Sequence, residues 1–285
     1  PLIVWKNSGE TLDQLLDRVR SSAGEAEGVS TDKKSASSAD KMTYAGRLDP
    51  LASGIMIILT GDAVHDKEFY NKLDKRYRAT VVLGFETDTY DVIGILQSVK
   101  HDLSVLRETV QVLIHEQVGT HTQSYPPYSS KNVGGVPLWK LARDGNLPEL
   151  LPSREVVVYD AQLVIPAYEP ESGGDTTTHQ EIPWIPDQVR DETCGVLING
   201  KDLLVKIHET VSRVTGDFRQ NEIISSWEKN IDTEKSYQVL EIDYHVGSGT
   251  YIRGLVHELG RQLGTGAVLI GLERYQAGEY TKNNC

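Results

Sequence analysis

The sequence predicts an α+β fold, with strands and helices interspersed along 285 residues. Short runs rich in β-branched residues, Ile55–Leu59, Arg78–Gly84, Val156–Ile165 and Gln238–Val246, read as strands. Two stripes recur at helical spacing, Leu12/Leu15/Leu16/Val19 and Ile252/Leu255/Val256/Leu259/Leu263, and read as the buried faces of helices. A hydrophobic fraction of 39% fits a packed core. The length suits one large domain or two small ones.

In chain order, Leu2–Trp5 is a short strand, and Thr11 can cap the helix that begins with Leu12. Residues 21–41 are rich in Ser, Ala, Gly, Asp and Lys without an apolar period, and read as a mobile loop. The stretch Tyr44-Ala-Gly-Arg-Leu-Asp-Pro-Leu-Ala-Ser-Gly54 follows. Pro50 biases Asp49 toward an extended conformation, so its carboxylate sits on a stiff turn at the lip of the Ile55–Leu59 strand. Asp49 there is a turn cap, a nucleophile or a base.

Residues 62–74 read as helical and lead to the strand at Arg78, with Tyr77 at its start between Lys75, Arg76 and Arg78. Tyr77 is a core aromatic or, with three bases around it, part of a stacking and phosphate site. Asp88 and Asp91 cap turns or touch a ligand. Leu103–Val118 forms an amphipathic helix. Gln123–Gly145 is loop-like, with a short helix through Trp139 and Arg143. Its aromatics, Lys131, Lys140 and Arg143 suit a functional loop.

Residues 167–236 separate the strand ending at Ile165 from that beginning at Gln238. Their first part is polar and contains three Pro; their second, Leu203–Trp227, has helix-like patches. The strand Gln238–Val246 then delivers Gly249-Thr-Tyr-Ile-Arg253 and the second helix. Arg253 lies in the first turn of that helix, where the dipole disfavours a cation, so an anionic partner is expected.

Four of these blocks resemble, in order, the motifs of the TruB family of tRNA pseudouridine synthases. They are Gly46-Arg-Leu-Asp-Pro-Leu-Ala-Ser-Gly54, Lys75-Arg-Tyr-Arg-Ala-Thr80, Thr87-Asp-Thr-Tyr-Asp91 with Gly94, and Gly249-Thr-Tyr-Ile-Arg253 with Leu259-Gly260 and Leu263-Gly264. The resemblance spans Lys6 to about Tyr280. It implies a pseudouridine synthase catalytic domain over 1–285, built on a mixed, mostly antiparallel sheet, without the C-terminal PUA domain. Asp49 would be the catalytic carboxylate, paired with Arg253. Tyr77 would stack on the target base, its hydroxyl a candidate for proton abstraction at C5. Tyr44, Arg47, Lys75, Arg76, Lys131, Tyr251 and Leu272 would contact the substrate. Three departures stand out: Asn7 where the family has Pro, Tyr44 where many members have His, and Tyr128-Ser-Ser-Lys-Asn in the segment that feeds the RNA-gripping thumb.

The implied substrate is the T arm of tRNA, at uridine 55, with no cofactor or metal. The alternatives are a synthase acting on ribosomal RNA, which shares an Arg-Leu-Asp motif, and a non-catalytic tRNA-binding or folding protein. A net charge of −12 argues against a nucleic-acid partner, but it is unevenly spread. Residues 167–236 hold 14 Asp/Glu against 7 Lys/Arg, a net of −7, and the remainder carries −5. This acidic segment has no counterpart in the family core. It is expected to be an insert lying away from the RNA-binding face and replaceable by a short linker.

Two cysteines, Cys194 and Cys285, are too few for a disulfide framework and fit a reducing, cytoplasmic setting. No apolar run reaches the roughly 18 residues of a membrane span, so no membrane partner is expected. Neither a Walker loop, a dinucleotide fingerprint nor a zinc-spaced His/Cys cluster is present. A monomer is expected.

Overall fold

The computed structural model describes residues 1–27, 41–101, 105–164 and 195–285. In chain order the elements are β1 (Leu2–Lys6), α1 (Leu12–Glu27), β2 (Met42–Ala45), β3 (Ser53–Thr60), α2 (Lys67–Lys72), β4 (Lys75–Leu83), β5 (Phe85–Thr87), β6 (Leu96–Val99) and α3 (Arg107–Glu116). There follow β7 (Gly119–Ser124), β8 (Asn132–Val133), β9 (Val136–Pro137), α4 (Leu138–Arg143), β10 (Ser153–Val164) and β11 (Val196–Asn199). The chain closes with α5 (Gly200–Arg213), α6 (Gln220–Asn230), β12 (Ser236–Val246), α7 (Ile252–Gln262), β13 (Ala267–Ala277) and β14 (Tyr280–Thr281).

A ten-stranded sheet runs β1-β3-β13-β4-β12-β10-β7, with β2 on β3, β11 on β12 and β14 on β13. Every pairing in it is antiparallel except β13 with β3. The fold is therefore α+β on a mixed, mostly antiparallel sheet, as the sequence predicts.

Each strand's pattern follows from what covers its faces. β3 is apolar without interruption because both faces are covered: Met56 and Ile58 enter the main core, while Ile57 and Leu59 join a smaller cluster with Ala45 and Ala277. β4 alternates instead. Tyr77, Ala79 and Val81 are buried, and Arg78 on the opposite face forks onto Asp243 of β12 at 2.9 and 2.8 Å. The stripe of α7 is buried at Ile252, Leu255, Val256 and Leu259, and that of α1 at Leu12, Leu15, Leu16 and Val19.

Two expectations are corrected. The first part of the loop read over 21–41 is helical instead, because α1 continues through Glu27; once a helix is nucleated, Ala and Glu propagate it without an apolar stripe. Residues 28–40 lie outside the described residues. The 167–236 segment does not stand apart. Its first part, to residue 194, lies outside the described residues, but β11 pairs with β12 in the main sheet. Leu203, Ile207, Val211, Ile223 and Trp227 are each 0% exposed and belong to the main core. Trp227 packs on Phe85 with ring centroids 5.1 Å apart and donates through Nε1 to the Gly94 carbonyl.

Candidate active site

The turn before β3 is held from behind by two buried cations. Lys6 is 0% exposed, and its ammonium donates to the carbonyls of Ala52 (2.6 Å), Asn7 (3.1 Å) and Pro50 (3.3 Å). Burial pushes that ammonium down to about 8, against the opposing pull of Glu10 and Asp49. Arg274 is 1% exposed and donates to the carbonyls of Ile55 (2.8 Å) and Gly46 (2.9 Å). Gly54 sits at φ +120°, where a Cβ would lie 2.3 Å from the Arg274 carbonyl oxygen, so only glycine admits this close approach of β13. Ser8 Oγ on the Leu51 carbonyl and the Asn71 side chain on the Gly46 amide complete the support.

At the tip of this turn Asp49 faces α7. Arg253 Nε donates to Asp49 Oδ2 at 2.8 Å, with side-chain exposures of 4% for the arginine and 33% for the carboxylate. The guanidinium is not spent on the carboxylate alone. Its other two nitrogens donate to the carbonyls of Thr89 and Tyr128, each at 2.8 Å. Three acceptors from three loops thus define one plane, which suits a rigid fork. Burial works against the charge, yet the carboxylates of Asp49 and Asp91 outweigh it and hold Arg253 above its ordinary value. Asp91, also buried, accepts from Thr89 Oγ1 (2.7 Å) and the Ile93 amide (3.0 Å), and burial pushes its carboxyl up to about 6.

These groups line a cavity of about 1010 Å³. Of the residues singled out in the sequence, Tyr44, Arg47, Asp49 and Lys75 reach it, as do Tyr77, Tyr251, Arg253 and Leu272. Arg47 is exposed at its edge. Lys75 is 5% exposed and turned onto the carbonyls of Asn71 and Leu73, and burial pushes it down to about 8. The remaining two are elsewhere. Arg76 follows the alternation of β4 onto the other face of the sheet, beside Tyr275. Lys131 lies over the Tyr125 ring at 5.2 Å, outside the cavity wall.

Sequence reasoning missed Lys6 and Arg274 as supports of the turn. A lone Lys or Arg within a strand was the available signal, since burial demands partners for it. It also missed the wall made by Thr215–Arg219, from the segment expected to lie elsewhere. Among the described residues no His, Cys, Asp and Glu gather in a way that could hold a metal ion, and no helix is long and apolar enough to cross a membrane.

Residues 33–173 match the family model described as TruB family pseudouridylate synthase, N-terminal domain. The match includes Asp49 and Tyr77. Among similar curated proteins is "tRNA pseudouridine synthase B" of Syntrophotalea carbinolica, 26% identical over 98% of this chain and 64% of its own length. A protein of the same name from Blochmanniella floridana is 27% identical over 85% of this chain and 67% of its own length. "tRNA pseudouridine synthase 4" of Schizosaccharomyces pombe is 26% identical over 86% of this chain and 67% of its own length. The chain thus spans about two thirds of the length of these relatives. With that match and relatives aligned along most of its length, the chain belongs to the TruB family of pseudouridylate synthases.

Proposed function

We propose that this chain isomerises uridine to pseudouridine in tRNA, at position 55 of the T loop, with Asp49 as the catalytic carboxylate. The observation that carries this reading is the ion pair at the cavity wall, in which the exposed edge of Asp49 meets a buried Arg253. Similarity to proteins named tRNA pseudouridine synthase supports the substrate class.

In the reaction the bond between C1′ and N1 breaks, the uracil turns over and C5 bonds to C1′. The proton on C5 is released and N1 acquires one, so the product is an isomer. Asp49 has to be ionised to attack the base or sugar or to take a sugar proton. Arg253 Nε holds Oδ2 of that carboxylate at 2.8 Å, which fixes its orientation at the cavity wall. Tyr77, 7% exposed on the cavity wall, offers a ring face to the base and a hydroxyl for the late proton transfer from C5. Tyr251 helps shape the pocket, with its ring 5.6 Å from the Arg253 guanidinium carbon. The nucleotide has to leave its stack to enter, which favours a loop substrate over a duplex.

Release of tritium from C5-labelled uridine in T-arm RNA tests the proposal. Turnover at the T-loop uridine supports it. Release from ribosomal RNA fragments alone, or binding without release, would replace it with one of the two alternatives.

A further inference from the structure

We propose that Arg219 is a positioning residue for the Asp49–Arg253 pair, clamping together the two backbone segments whose carbonyls orient Arg253. The inference rests on the proposed function for its rate measurement and on geometry for the rest.

Arg253 is oriented by the carbonyls of Thr89 and Tyr128, which belong to separate loops. Arg219 touches both loops. Its NH1 donates to Oδ2 of Asp88, the residue before Thr89, at 2.7 Å. Its guanidinium carbon lies 4.6 Å from the centre of the Tyr128 ring, within cation–π range. The Tyr128 hydroxyl, pushed up to about 12 by burial and then by the Asp88 carboxylate, stays protonated beside that carboxylate. Asp88 in turn takes the Ile95 amide on Oδ1 at 2.8 Å, which fixes its own loop. One side chain therefore joins the 88–89 and 128 segments, and those segments hold Arg253.

The backbone is shaped for this role. Tyr90 and Arg219 are the described non-glycine residues with positive φ, at 67° and 61°. Both flank the junction: Tyr90 follows Thr89, and Arg219 grips Asp88. A bulky residue keeps this conformation only where its surroundings over-determine it. The stretch leading into Arg219 is itself anchored twice, by Arg143 on Asp217 at 2.7 Å and by Gln14 on Thr215 Oγ1 at 2.7 Å. Its charge is matched by Asp88, with side-chain exposures of 15% and 20%, so it is committed within the protein rather than offered to phosphate.

Arg219→Gly is the informative variant, because glycine enters this φ region freely and the side chain is removed without backbone strain. Single-turnover tritium release from T-arm RNA should fall about thirtyfold while Kd changes by less than about twofold. Combined with Arg253→Lys, the double variant should be no slower than Arg253→Lys alone, since both changes act on one unit. Arg219→Lys, which keeps the charge on Asp88 but loses the planar stack, should be intermediate. Nitrogen–proton spectra of the Arg253 Nε–H give a readout independent of turnover, and its protection from exchange should drop in Arg219→Gly. If wild-type protein shows no turnover, the proposed function fails and this spectrum still decides the inference. Unchanged protection, an unchanged rate, or a loss additive with Arg253→Lys would overturn it. A rise in Kd large enough to explain the loss would make Arg219 an RNA contact and overturn it equally. Should Arg219→Gly not fold, Asp88→Asn keeps the acceptor for Ile95 and removes the charge from the clamp. Wild-type rate and protection in that variant would be equally fatal.

Discussion

The turn at Asp49 and the loop at Arg219 reach the same cavity from opposite kinds of sequence. The first is a dense motif of Gly, Pro and small residues, pinned by Lys6 and Arg274 through backbone carbonyls. The second lies in an acidic stretch whose helices carry no motif, and it is pinned by side-chain pairs, Arg143–Asp217 and Arg219–Asp88. Backbone carbonyls cannot be changed by substitution at their own positions, whereas side-chain pairs can. The contrast teaches that a motif marks where the chain is conformationally constrained, while part of the same cavity wall can come from a segment that reads as filler.

The sharpest way to break the comparison is to remove the second region. Replacing 195–235 with a short Gly/Ser linker is expected to abolish cooperative folding, because it takes β11 from the sheet and five wholly buried side chains from the core. Trp227→Ala alone should cost about 3–5 kcal/mol in denaturant unfolding. A linker variant with a cooperative transition and wild-type turnover would show that the segment is an appendage after all.

Substitution in the first region should spare folding and remove chemistry. Asp49→Asn is expected to lower single-turnover rate at least about a thousandfold with RNA affinity kept. Arg253 would retain its two carbonyl partners, so the thermal midpoint should fall by only a few degrees. Arg253→Lys should cost about a hundredfold, because a single ammonium cannot span Asp49, Thr89 and Tyr128 together. Activity of Asp49→Asn within tenfold of wild type would remove Asp49 from the mechanism.

What was legible in the sequence follows the same division. The strand at Gln238–Val246 and the stripe of α7 could be read because apolar residues recur at the period of the element, and Ile55–Leu59 because it is a short β-branched run closed by Gly61. The Asp49–Arg253 pairing came from the resemblance together with an arginine placed against the helix dipole. The integration of α5 and α6 was not legible. Their helix-like patches could be read, but with acidic neighbours at Asp202, Glu209 and Glu222 nothing in the sequence said which surface the stripe Leu203, Ile207 and Val211 would cover. The two faces of β4 were misread for a simpler reason. Arg76 beside Tyr77 in sequence is opposite to it in space, which the strand period of two dictates.

A smaller effect tests the electrostatics beneath the pair. Asp91 has an ordinary value of 3.8 and is held up to about 6 in the folded protein, chiefly by burial. A carboxyl raised on folding contributes its stability below the unfolded value and loses it as pH rises through the folded one. The wild type should therefore lose about 2 kcal/mol, relative to Asp91→Asn, between pH 4 and pH 7. Urea unfolding of both proteins across that range gives the difference curve. A flat curve would mean that Arg253 fully compensates the buried charge.

The smallest expected effect separates two arginines that sequence alone places in one site. Arg47 is exposed where the cavity meets solvent, while Arg76 lies on the far face of β4 beside Tyr275. A cation contributes to RNA affinity only where a phosphate can approach it, and each contact released shows in the dependence of affinity on salt. Arg47→Ala should weaken T-arm binding by about threefold to tenfold and reduce the slope of log K against log salt by about one. Arg76→Ala should leave both within error, although it removes the same charge from an acidic protein. Fluorescence anisotropy across a salt series distinguishes the two. Equal losses would show that total charge, rather than its placement around the Asp49 turn, governs how this protein holds RNA.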